Sequence, residues 1–85
     1  MIKVTCFGHV RTSLGRDTVE IEADKISTTA LIEKIREMGR ADPNLGFTKY
    51  NTLVIVNGSA YSGASEDRIL EDGDEVILLP FSHGG

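Results

Sequence analysis

Two short runs are apolar at nearly every position: TLVIVNG at 52–58 and EVILLPF at 75–81. A run of this kind, bounded by turn residues, reads as a strand buried on both faces. Asn57-Gly58 bounds the first run, and Asp72-Gly73 supplies the turn before the second. On the second run Val76 and Leu78 share one side, while Ile77, Leu79 and Phe81 share the other. Both sides of these strands need cover, and the rest of the chain must supply it.

It supplies two alternating strands and one helix. In IKVTCFG (2–8), Ile2, Val4 and Cys6 share one face, and Lys3, Thr5 and Phe7 share the other. In DTVEIEA (17–23), Val19 and Ile21 point inward and Thr18, Glu20 and Glu22 outward. The glycines at 8 and 15 frame a connection that predicts a β-hairpin. The period then changes. Ser27, Thr28 and Thr29 offer N-caps, and Ala30, Leu31, Ile35 and Met38 form a stripe at helical spacing. Glu33, Lys34, Arg36 and Glu37 fall on the wet side, and Gly39 is a natural C-cap. The spacing predicts one helix over 28–38, about 17 Å long. Residues 40–51, with Pro43, Asn44 and Gly46, read as a loop.

The order is strand, strand, helix, strand, short strand, strand. It predicts an α+β fold: a mixed sheet of four or five strands with one main helix on one face. The helix serves as a crossover that places a later strand beside the first. This is the ubiquitin-like β-grasp arrangement. The domain is expected over 1–80, followed by a flexible tail at 81–85.

One helix covers one face only. Phe7, Ile77, Leu79 and Phe81 are therefore expected on an open face beside the tail, as a partner interface. The net charge of −4 argues against a nucleic-acid backbone, which needs a basic surface, and suits a basic protein partner. A single cysteine, Cys6, excludes an internal disulfide or an iron–sulfur cluster, and its inward parity marks it as a small buried hydrophobe. No stretch is long and apolar enough to span a bilayer, so no membrane role and a cytoplasmic location are expected. The acidic cluster Glu71, Asp72, Asp74 and Glu75 lacks EF-hand spacing and reads as turn chemistry. No metal or bound cofactor is expected. His9 reads as a hairpin-loop residue. Without a nucleophile–base constellation, the chain alone is not expected to be an enzyme.

The tail PFSHGG offers chemistry of another kind. A carboxylate on Gly85 is a poor electrophile until adenylation by ATP gives it a leaving group. A thiol or sulfide then yields a thioester or thiocarboxylate. Gly84 and Gly85 lack Cβ atoms and suit a narrow channel in a second protein. Ser82 and His83 form a short leash, and Pro80 stiffens its base. Extended from Pro80 to Gly85, the tail spans about 17 Å.

The opening MIKVTCFGHVR, the segment LVIVNG and the closing LEDGDEVILLPFSHGG resemble the MoaD/ThiS family of ubiquitin-like sulfur carriers. The resemblance covers nearly the whole chain and lies closest to MoaD. It implies that a MoeB/ThiF-like enzyme uses ATP to adenylate Gly85, which becomes a thiocarboxylate. In the MoaD branch the tail enters a MoaE-like large subunit in a heterotetramer. Sulfur then passes to a pterin precursor, making the dithiolene of molybdopterin. The resemblance also implies that Phe7 and Leu79 lie in partner interfaces and that Arg11 ion-pairs with a partner. The tail departs from the MoaD pattern: Phe81 stands where a second proline is common, and His83 where a small residue is. A histidine before Gly-Gly resembles the ubiquitin-related modifiers, which serve tRNA thiolation and lysine conjugation. His83 is a candidate to hydrogen-bond within a partner's channel. A third reading is a regulatory β-grasp module that does not use its tail. The chain is longer than typical ThiS proteins, which weakens the thiamine-thiazole reading.

Overall fold

The computed structural model describes residues 1–8, 14–15, 17–38, 52–63 and 66–80. The expected Gly39 cap and 40–51 loop, together with His9, Arg11, Phe81, Ser82, His83, Gly84 and Gly85, lie outside them.

Strands β1 (Ile2–Cys6) and β2 (Thr18–Ile21) pair antiparallel, with Ile2 opposite Ile21 and Val4 opposite Val19. Their inward residues Ile2, Val4, Cys6, Val19 and Ile21 are all buried, as the alternation requires. A three-residue strand, β3 (Lys25–Ser27), leads into helix α1 (Thr28–Met38). Ser27 caps the helix: its Oγ accepts the Ala30 N–H at 3.1 Å. A second cap comes from a distant segment, where Asp67 Oδ1 accepts the Thr29 N–H at 2.9 Å.

The helix buries Thr28, Leu31, Ile32 and Ile35, a stripe at i, i+3, i+4 and i+7. The expected stripe differs at four positions, one of them Thr28, which was read as a cap and is buried. Ile32 is inside, Ala30 is exposed and Met38 is 43% exposed. The core stripe is centred between Leu31 and Ile35, which turns Ala30 toward solvent, and Met38 belongs to the last turn. Each fully buried Leu or Ile contributes roughly 1.5–3 kcal/mol through removal from water.

Strands β4 (Thr52–Val56) and β5 (Ser59–Ser62) form a tight hairpin. Asn57 at φ 48° and Gly58 at φ 90° both adopt the left-handed conformation that a two-residue turn of this hand requires. Strand β6 (Ile69–Glu71) pairs with β3 as a separate two-stranded sheet, and β7 (Glu75–Pro80) closes the main one. The main sheet runs β2-β1-β7-β4-β5. The β1–β7 pair is parallel and its neighbours are antiparallel, so the sheet is mixed, and the crossover through α1 sets the last strand beside the first. This five-stranded sheet with one helix is the β-grasp arrangement.

The core lies between α1 and one face of the sheet, where Val54, Val76 and Leu78 meet Leu31, Ile32 and Ile35. The two apolar strands are not fully buried on both sides. Leu53, Ile55 and Ile77 are half-buried and Leu79 is 40% exposed, because α1 covers only one face. The β3–β6 pair was not expected. Leu70, which the sequence did not mark, is a core residue.

The expected acidic cluster divides into turn contacts. Asp74 Oδ2 accepts the Glu71 N–H at 2.8 Å, and its Oδ1 accepts from Asn57 Nδ2 at 3.0 Å. Asn57 Oδ1 accepts the Glu75 N–H at 2.9 Å, which ties the β4–β5 turn to the β6–β7 turn. Asp72 pairs with the Met1 ammonium. No helix among the described residues is long and apolar enough to cross a membrane.

Candidate functional site

Strand parity places a second set of side chains on the face away from α1. Across β1, β7 and β4, Thr5 pairs with Ile77 and Ile77 with Ile55. One step along, Leu79 pairs with Leu53, and the Phe7 N–H donates to the Leu78 carbonyl at 3.2 Å. Phe7 therefore stands beside Leu79 at the end of β1. Phe7 and Leu79 are 41% and 40% exposed, among the largest apolar side chains left open to water.

The face has polarity along its length. At the other end, Lys3 pairs with Glu20 on one side and Glu75 on the other. A cavity of about 380 Å³ lies between the charged and apolar ends, lined by Lys3, Thr5, Ile55, Glu75 and Ile77 among others. The apolar end is where β7 runs out. Pro80 pairs with Thr52, and its ring lies 3.8 Å from where a Cβ on Gly8 would sit. Pro80, the last described residue, thus sits at the end of the Phe7–Leu79–Leu53 row. Such an arrangement can dock a partner on an apolar surface while delivering the following residues to it.

The model of the ThiS family matches residues 4–85. The chain belongs to the ThiS family. No curated protein sequence matches it. Several solved structures share its fold, three of them as follows. Small archaeal modifier protein 1 from Methanosarcina acetivorans superposes with a TM-score of 0.70 at 19% identity, covering 99% of this chain and 95% of that one. The same-named protein of Haloferax volcanii gives 0.69 at 21% identity, with 99% and 98% covered. A Pyrococcus furiosus structure assigned as molybdopterin converting factor, subunit 1, gives 0.67 at 29% identity, with 95% and 97% covered. This ThiS-family member is thus a small ubiquitin-fold protein of a sulfur-carrier family.

Of the residues singled out from sequence, the fold brings Phe7, Ile77, Leu79 and Pro80 to one region. Arg11 and the tail positions Phe81, Ser82, His83, Gly84 and Gly85 lie outside the described residues. Leu53 and Ile55 share the open face and went unmarked in the sequence, although the same two-residue alternation within TLVIV would have placed them there. Cys6 is fully buried, and burial pushes its thiol up to about 11, so it stays protonated at neutral pH.

A buried polar latch was also not legible. Thr28 Oγ1 and Tyr61 OH share a 2.6 Å hydrogen bond, and Thr28 Oγ1 also donates to the Arg68 carbonyl at 3.1 Å. The Arg68 guanidinium stacks 4.2 Å from the Tyr61 ring centroid and pairs with Glu66 at 2.8 Å. The latch fixes the start of α1 against β5.

Proposed function

We propose that this protein carries sulfur on the carboxyl group of Gly85 and donates it as the small subunit of a molybdopterin synthase. The observation that carries the reading is the Phe7–Leu79–Leu53 row ending beside Pro80, which couples a docking surface to the root of the tail. The 29% identity with the molybdopterin converting factor subunit over 95% of the chain supports the choice of pathway.

In this reading a MoeB/ThiF-like enzyme binds the open face and receives the tail. A Gly85 carboxylate oxygen attacks the α-phosphorus of ATP, forming acyl-adenylate and releasing pyrophosphate. Hydrosulfide attacks the acyl carbon and AMP leaves, which gives the thiocarboxylate. A MoaE-like large subunit then takes the charged tail on the same face, so the two partners bind in turn. The large subunit supplies the catalysis; this chain supplies the docking surface, the reach and the sulfur.

A second reading is favoured by His83 immediately before Gly84-Gly85. In it the same adenylate serves a modifier for tRNA thiolation or lysine conjugation. Reconstitution separates the two. The thiocarboxylated protein is mixed with a MoaE-like subunit and pterin precursor in one reaction, and with a tRNA-thiolating enzyme and tRNA in another. The leading reading predicts dithiolene product in the first only. Sulfur transfer to tRNA alone would replace it with the second.

A further inference from the structure

A second groove lies apart from the Phe7–Leu79 row. It encloses about 680 Å³ at the β2 edge, and Lys3, Thr18, Val19, Glu20, Glu22 and Met38 are among its lining residues. Strand β2 is an outer strand of the main sheet, and among the described residues no strand pairs with its far side. The direction of its backbone groups follows from the ladder. The Cys6 N–H donates to the Asp17 carbonyl at 2.7 Å, in the same register that sets Val4 opposite Val19 and Ile2 opposite Ile21. Bonded and non-bonded pairs alternate in an antiparallel ladder. The N–H and C=O groups of Thr18 and Glu20 therefore point outward, into the groove.

Side chains flank that edge in two rows. On the core side lie Val19 and the exposed Met38 at the end of α1. On the open side lies Glu20, with Glu22 just beyond the strand. Asp17 and Asp24 bracket the strand, all four carboxylates are exposed, and no Lys or Arg occurs from 17 to 24.

We propose that the β2 edge docks an extended segment of a basic partner protein, which adds to the sheet as a sixth strand. Its backbone bonds Thr18 and Glu20. Its alternate side chains are apolar toward Val19 and Met38, and Lys or Arg toward Glu20 and Glu22. Strand addition takes affinity from main-chain bonds and specificity from such alternation. A second copy of this chain fits poorly, because edge-to-edge pairing sets the same carboxylates against each other, a common guard on exposed edges. This surface is separate from the Phe7–Leu79 row and does not depend on the sulfur-carrier reading.

The test uses the full-length protein and short blocked peptides, followed by backbone amide spectra and hydrogen exchange. A peptide of alternating lysine and valine is expected to shift and protect the Thr18 and Glu20 amides. It should bind about tenfold more tightly than a block peptide of the same composition, since only alternation presents both rows. The variant E20K/E22K should lose that preference and favour an alternating glutamate–valine peptide; E22K alone serves if the double variant does not fold. Several results would overturn the proposal. Equal binding of the block peptide would mean charge attraction alone. Shifts centred on Ile77 and Leu79 would place the peptide on the open face. Protection of Thr18 and Glu20 in the free protein would mean that the chain or a second copy already covers the edge.

Discussion

Cys6 shows how a residue's surroundings settle its role. Its thiol is raised from 9.0 to about 11 by burial, so the folded state holds its proton more tightly than the unfolded chain does. The stabilising contribution is fully present below about pH 9 and is lost as the pH rises toward 11. Urea unfolding at about pH 8 and about pH 10.5 should show this decline in wild type, and Cys6→Val should remove the part due to the thiol. Phe7 and Leu79 have the opposite situation. Phe7→Ser and Leu79→Ser are expected to leave stability within about 0.5 kcal/mol. Each should weaken binding to the adenylating enzyme by about tenfold or more, as centrally placed apolar anchors do. Calorimetry on folded variants checks both halves; undiminished binding would remove the open face from the account.

At the scale of elements, the helix makes a clear prediction. Ile32→Ala should cost about 2–5 kcal/mol, because it empties part of the core, whereas Met38→Ala should cost less than about 1. Denaturant unfolding reads both. The helix span was legible because its polar and apolar positions separate cleanly over eleven residues. The exact stripe was not, because Ala30 and Ile32 compete for a face that only the sheet's position decides. The β3–β6 pair was illegible for a different reason. Three residues per strand carry too little alternation to register, and their pairing is set by contacts 40 or more residues apart. The Asp67 cap and the Thr28–Tyr61 hydrogen bond are hidden in the same way. Asn57, in contrast, announced its turn through the Asn-Gly dipeptide. Its side-chain contacts with Asp74 and Glu75 came only with the fold.

For the whole molecule, one fact organises the rest: a five-stranded sheet has two faces and, among the described residues, one long helix to cover them. That imbalance is visible in the apolar runs at 52–58 and 75–81, which predict an open face. Its extension to Leu53 and Ile55 needed the register. The docking face and the proposed working terminus are separable, so their losses should differ. Removing Gly85 should leave the melting temperature unchanged and abolish adenylation, while the Phe7 and Leu79 variants should weaken enzyme binding with the terminus intact. The most direct measurement is intact mass spectrometry after incubation with the cognate adenylating enzyme, ATP and a sulfide source. Sulfur carriage predicts a mass gain equal to one sulfur replacing one oxygen, localised to Gly85 and absent without ATP. An unchanged mass with an enzyme that charges its own carrier in the same reaction would contradict it.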